Sequence, residues 1–171
     1  MPAKIHNIVV VRFSLRVADW SHRLFFDEAN RADWFAFRAK LYQQTLGAAI
    51  HAQTVKPERV FLLMDAGDRH LQESYLPADE FTPIFTPSRE SASLIAAELS
   101  RDGLLDQVAL TRIDSDDIVE RRYFEKLNHH IQTIIDAGRE PRLIVTCKGY
   151  RSNFVQIQPM YFGVAPFITL F

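Results

Sequence analysis

Along this chain, short unbroken apolar runs alternate with longer stretches in which apolar residues return every three or four positions. The run "IHNIVVVRF", Ile5 to Phe13, is rich in Val and Ile and too short for an ordinary helix, which predicts a buried strand. From Trp34 to Gln53, the residues Phe35, Tyr42, Leu46, Ala49 and Ile50 fall near one face of a 3.6-residue period, which predicts a helix ended by Lys56-Pro57-Glu58. "RVFLLMDAGD" then gives a second continuous apolar strand, Val60 to Met64, closed by an acid and a Gly turn. "FTPIFTP" predicts a short third strand, with Thr86 as N-cap and Pro87 as first residue of a helix over Ser88 to Ser100.

"DQVALTRID" reads as a fourth strand and "RLIVTCK" as a fifth. Between them a helix is expected to open around Asp117, with Glu120 as capping-box partner, and to run to Ala137-Gly138. Strands and helices in this order predict an α/β fold, a mainly parallel, Rossmann-like sheet flanked by helices. No internal repeat or linker divides residues 1–171, so one domain is expected. The last twelve residues, "MYFGVAPFITLF", are conspicuously apolar. They read either as a strand tucked into the sheet, as a sign that the chain stops before its domain is complete, or as a surface that a second subunit covers in a homo-oligomer.

Composition narrows the partners. With 47% hydrophobic residues and 13 Phe among 171, the chain has material for a sizeable core. A net charge of -1 and a pI of about 6.6 give no reason to expect nucleic acid. The single cysteine, Cys147, suits a reducing cytoplasm and reads as a small buried hydrophobe. The start lacks the features of a secretory signal, and no apolar run reaches the length of a membrane span.

In an open parallel sheet, ligands gather outside the carboxyl ends of the strands. The polar residues of interest are predicted there: Arg12 and Ser14 after the first strand, Asp65 and Asp68 after the second, Arg89 past the third, and Arg112 to Asp117 at the fourth. Asp114, Asp116 and Asp117 crowd three acids into four positions. Two carboxylates about 5 Å apart repel by roughly 0.8 kcal/mol in water and several-fold more at an effective dielectric near 20, so something positive should sit opposite them. A divalent cation or a helix N-terminus would serve. On an extended backbone Asp114 and Asp116 can share one face and one ion, while Asp117 turns inward as a cap. Mg²⁺ takes one or two carboxylates and completes its shell with water and phosphate oxygens, so a diphosphate is the natural companion. The plainer reading is an acidic helix start favoured by the macrodipole. A phosphate-binding Gly-Lys loop and an EF-hand pattern are both absent from the sequence.

Two segments carry a family resemblance. "AAIHAQTVKPERVFLLMDAGD", Ala48 to Asp68, and "TRIDSDDIVERRYFEKL", Thr111 to Leu127, resemble the signature regions of family-2-type nucleotide-sugar glycosyltransferases of the GT-A fold. "VVRFSLR", "FRAKLYQQTL", "KGY" and "APFITL" are similar, more narrowly, to a bacterial group of rhamnosyltransferases, of the kind that build surface polysaccharide. The resemblance implies a divalent cation, Mn²⁺ or Mg²⁺, on Asp116 with help from Asp114, bridging the diphosphate of a nucleoside-diphosphate sugar. It implies that Arg12, Phe13 and Ser14 line the nucleotide pocket, that Asp65 sits by the base or ribose, and that Arg89 and Arg112 contact nucleotide or phosphate. Arg112 could equally be an ion-pair partner of the acids.

Two departures qualify it. Ala66 stands where relatives carry a second Asp, and after Glu140 the chain has no Asp, Glu or His to serve as the base that deprotonates an acceptor hydroxyl. Glu120 and Asp136 remain, as residues of a helix surface. The expectation is therefore a domain lacking most of its acceptor portion, with the acceptor, glycan or otherwise, unassigned. A non-catalytic nucleotide-sugar binding module is the first alternative. A metal-dependent phosphohydrolase is the second, supported by the same acids but by no nucleophile or His constellation. His129 and His130, adjacent on a helix, diverge by about 100° and cannot chelate one ion. Trp20 and Trp34 flank a segment that could close over a sugar, or they pack in the core.

Overall fold

The structure, a computed structural model, describes residues 4–15, 28–76, 79–86, 91–139, 143–146, 148–152, 157–161 and 167–170, with side chains described as far as Arg139. The first strand, β1, is His6–Arg12; α1 is Arg31–Tyr42, which continues through one wide π-helical turn, Gln43–Gly47, into α2, Ala48–His51. The wide turn forms where the Thr45 hydroxyl donates to the Leu41 carbonyl at 2.7 Å, a side-chain bond of the sort that bends helices. Next come β2, Arg59–Met64; α3, Arg69–Tyr75; β3, Thr82–Phe85; α4, Ser91–Arg101; and β4, Val108–Asp114. The chain goes on through α5, Tyr123–Asp136, then β5, Leu143–Thr146, β6, Lys148–Ser152, β7, Ile157–Tyr161, and β8, Phe167–Leu170.

The main sheet has the order β3-β2-β1-β4-β8-β5; its first four strands are mutually parallel, and β8 runs antiparallel to both β4 and β5. This is the α/β, Rossmann-like arrangement expected from the alternation of strands and helices. β6 and β7 form a separate antiparallel pair that the apolar pattern did not announce.

Both faces of the sheet's central strands are covered, which is why β1 and β2 read as nearly unbroken apolar runs. Val9 and Val11 of β1, Leu62 and Met64 of β2 and Ile113 of β4 meet Phe35 and Tyr42 of α1, Leu71 of α3 and Phe124, Leu127 and Ile131 of α5 on one side. Ile8, Val10, Phe61, Leu63 and Ile84 meet Ile95 and Leu99 of α4 on the other. Phe13 stands edge-on to Phe35, ring centroids 5.1 Å apart, and to Tyr42 at 6.1 Å.

Several boundaries differ from expectation. The segment after β2 contains α3, which is too short for its period to show in the sequence. α5 opens at Tyr123, not near Asp117, and Arg122 caps it without a side-chain bond. The expected capping box does not form, because the Glu120 carboxylate is taken by Lys126 Nζ at 2.5 and 2.7 Å. The end of α5 falls where expected: Gly138 adopts φ 68°, and Gly138 and Arg139 return their N–H groups to Ile135 and Ile134 at 2.8 and 3.1 Å, closing the last turn. Pro87 and the other first residues of the helix expected after the Thr86 cap lie outside the described residues, as do Cys147 and Trp20. Of the readings of the apolar terminus, the strand is the one observed: the backbone of β8 is paired on both sides. Among the described residues, no helix is long and apolar enough to cross a membrane.

Candidate functional site at the carboxyl ends of β1 and β4

The strand order reverses between β1 and β4, and the carboxyl end of that pair is the crevice where such sheets take ligands. Register places Arg12 beside Asp114 there. Ile8 and Val10 of β1 and Val108 and Leu110 of β4 pack toward α4, so the two-residue period puts Arg12, Arg112 and Asp114 on the α4 side as well. The Arg12 guanidinium grips the Asp114 carboxylate, Nη2 donating to both oxygens at 2.9 and 3.1 Å and Nε to Oδ1 at 3.1 Å. Both side chains are about two-fifths exposed, 37% and 41%, so the pair contributes no more than roughly 1 kcal/mol and its carboxylate stays open to solvent.

The strand stops at Asp114, and the alternation that would align Asp114 with Asp116 stops with it. Asp117 N–H donates to the Asp114 carbonyl at 3.1 Å, and the Asp117 carboxylate accepts from Asp114 N–H at 3.2 Å, closing a turn instead of capping a helix. Asp116 is reached from α1 by Arg38, whose Nη1 lies 3.4 Å from Oδ2 and whose Nη2 lies 3.5 Å from Oδ1. Arg38 Nη2 also donates to the hydroxyl of buried Ser115. The two acids expected to share an ion are thus each held by a different arginine. Burial pushes the Asp117 carboxyl up to about 6; the Asp114 amide opposes this, Asp114 and Asp116 add to it, and Arg112 partly offsets it.

The neighbouring strand ends are tied by another arginine. Arg31, at the start of α1, donates from Nε to Asp68 Oδ1 at 2.9 Å, from Nη2 to Asp68 Oδ2, and from Nη2 to the Ser14 carbonyl at 2.8 Å. Trp34 lies beneath this guanidinium, 4.6 Å from its centroid. Ser14 is buried, and its hydroxyl has no hydrogen-bond partner among the described residues. Phe13 is a core residue, 4% exposed, on the face opposite Arg12. Asp65, half-buried, accepts from Gly67 N–H at 2.9 Å and caps the short turn after β2. Arg89 lies outside the described residues. Arg112 makes no ion pair among the described residues, and its Nε is buried without a hydrogen-bond partner.

Sequence reasoning missed the residues that shape this crest. Arg31 and Arg38 stand seven residues, about two turns, apart on one helix, a spacing visible in "RADWFAFR" but indistinguishable there from a solvated face. In the sequence Gln53 stands as the end of a helix and within a signature segment, with nothing to mark it as a clamp. Buried, it donates to the Glu120 carbonyl at 2.8 Å and the Ala49 carbonyl at 3.1 Å and accepts from Phe124 N–H at 3.5 Å. Thr54 adds its N–H to the Arg121 carbonyl at 3.0 Å and its hydroxyl to Glu125 at 2.8 Å. The Gln-Thr turn therefore clamps the segment that leads from the acids into α5.

At the opposite end of the sheet, beside the π-helical turn, a cavity of about 160 Å³ is lined by Tyr42, Ile50, His51, Lys56, Val60 and Glu80. Burial, then the charge of Glu80, raises the Tyr42 phenol above its ordinary range, so it stays protonated.

Among the described residues, no three His, Cys, Asp or Glu side chains are grouped to hold an ion by themselves. A Mg²⁺-type ion whose shell is completed by phosphate and water asks for only one or two carboxylates. Asp116 fits that smaller demand: it is 52% exposed, and its cationic contact among the described residues is long. No protein-family model, curated protein or solved structure matches the chain.

Proposed function

We propose that this chain is a glycosyltransferase domain that binds a nucleoside-diphosphate sugar, with a divalent cation, over the carboxyl ends of β1 and β4. The reading rests on the resemblance of its two signature segments, and one observation carries it further. At the β1/β4 switch point, exposed carboxylates stand beside Arg112, an arginine with a buried nitrogen that has no partner among the described residues. Such a nitrogen is costly unless a ligand oxygen meets it. Arg12 and Arg112, on one face of adjacent strands, are the donors for phosphate oxygens, and guanidinium groups match that geometry. Asp116 would hold the cation, and Asp114 keeps Arg12 in place. When bound, the ion supplies Lewis-acid stabilisation to the leaving diphosphate.

The lack of an evident base favours a second reading, a nucleotide-sugar binding module without turnover. Glu120 is engaged by Lys126, and Asp136 accepts from Gln132 at 2.8 Å, both on the exposed surface of the α5 region. Donor binding without transfer or hydrolysis would select it.

Calorimetric titration with UDP- and dTDP-sugars, with and without Mn²⁺ or Mg²⁺, tests the donor site. Asp116→Ala should abolish the metal-dependent binding and leave the thermal transition in place, because the side chain is half exposed. Unchanged donor affinity in that variant would overturn the assignment.

A further inference from the structure

We infer that Arg38 is a stand-in cation, holding Asp116 when no metal is bound and competing with the divalent ion for that carboxylate. The inference rests on the reading of Asp116 as the metal ligand and concerns a residue that reading does not use. The Arg12 and Arg38 contacts differ in kind. Arg12 meets Asp114 at 2.9 to 3.1 Å, within the range of charge-assisted hydrogen bonds or just beyond it, whereas Arg38 stays 3.4 and 3.5 Å from Asp116. Arg38 Nε is buried with no hydrogen-bond partner among the described residues, so the guanidinium is incompletely satisfied where it lies. The carboxylate is 52% exposed against 20% for the Arg38 side chain, which leaves one side of Asp116 open to an arriving ion.

Exchange would be cheap for the rest of the fold. The start of α1 is fixed by the Arg31 bonds to Asp68 and Ser14, so the helix need not move when one side chain shifts. Arg38 also keeps a second acceptor, the Ser115 hydroxyl, and giving up Asp116 does not strand its charge. A guanidinium and a divalent ion cannot both sit against one exposed carboxylate without repelling each other, so removing the first strengthens the second.

Titration of the protein with Mn²⁺ alone, followed by the loss of the free-ion paramagnetic resonance signal, tests this without nucleotide or turnover. Arg38→Ala should bind Mn²⁺ about three- to tenfold more tightly than wild type. Arg38→Lys, which keeps the charge, should stay within about twofold of wild type. Lys40→Ala, an exposed charge removed from the same helix, should leave the affinity unchanged. If Arg38→Ala does not fold, Arg38→Gln, which can still bond Ser115, carries the same comparison. Equal or weaker binding in Arg38→Ala, or in Arg38→Gln where that variant replaces it, overturns the inference, as does equal tightening in Lys40→Ala, which would mark a bulk charge effect. Absence of Mn²⁺ binding in every variant also overturns it, while the nucleotide-sugar titration decides separately on the donor site.

Discussion

Arg31 and Asp68 are a buried ion pair, with side chains 5% and 2% exposed, and the surface pairs around α5 show how differently the same chemistry behaves in water. Removing one partner of a buried pair typically costs about 3–5 kcal/mol, because the other charge is left without compensation. Arg122 and Glu125 sit at the opposite limit, paired at 2.6 Å on the exposed first turn of α5. The bond from Arg122, then that from Thr54, holds the Glu125 carboxyl down to about 2, below its ordinary value of 4.5. A depressed folded-state value means that the stabilisation is present above the ordinary value and is lost as pH falls toward 2. In urea unfolding, the stability gap between wild type and Glu125→Gln should be constant above about pH 5, close as pH approaches 2, and shrink at high salt. A gap that ignores pH would show that Glu125 titrates there as it does in the unfolded chain.

α1 is held where it is by arginines at two levels and by an aromatic seam, Phe35 against Phe13 and Tyr42 against Phe81. The turn after α2 does the corresponding work for α5. Gln53 is 3% exposed, and truncating it strips partners from the Glu120 carbonyl and Phe124 N–H, which sets the cost of Gln53→Ala at about 1–3 kcal/mol. The Thr54 bonds remain, so the variant should still fold. Its denaturation midpoint should fall at unchanged slope, and amide exchange should quicken at Phe124 more than in β1. Uniform acceleration would mean that Gln53 supports the whole core and not the segment after the acids.

The parallel strands β3-β2-β1-β4 would end in an open edge at β4 if β8 did not lie along it. β8 also joins β5 to the sheet, since β5 pairs with no strand except β8 among the described residues. Ending the chain at Pro166 removes both pairings and bares the β4 edge, the template on which sheets aggregate. Size-exclusion chromatography of that shortened chain should show aggregates in excess of those formed by the chain ending at Phe171. A soluble, cooperatively melting product would show that the four parallel strands suffice.

Local pattern encodes where elements run and which residues end them. Continuous Val, Ile and Leu runs mark β1 and β2 because both faces of those strands are covered, and Gly138 marks the end of α5 because its left-handed φ suits glycine. The acids after β4 were equally legible, since a strand end in an open α/β sheet is a predictable place for polar chemistry. Tertiary structure alone decided their partners. Arg12 meets Asp114 through a register between strands 102 positions apart, and Arg38 meets Asp116 from a helix 78 positions away. The start of α5, the antiparallel course of β8 and the burial of Gln53 were likewise settled by distant contacts. Periodicity reports which face of an element is covered and nothing about what covers it, so a charge that grips a carboxylate and one that faces water look alike until the chain is folded.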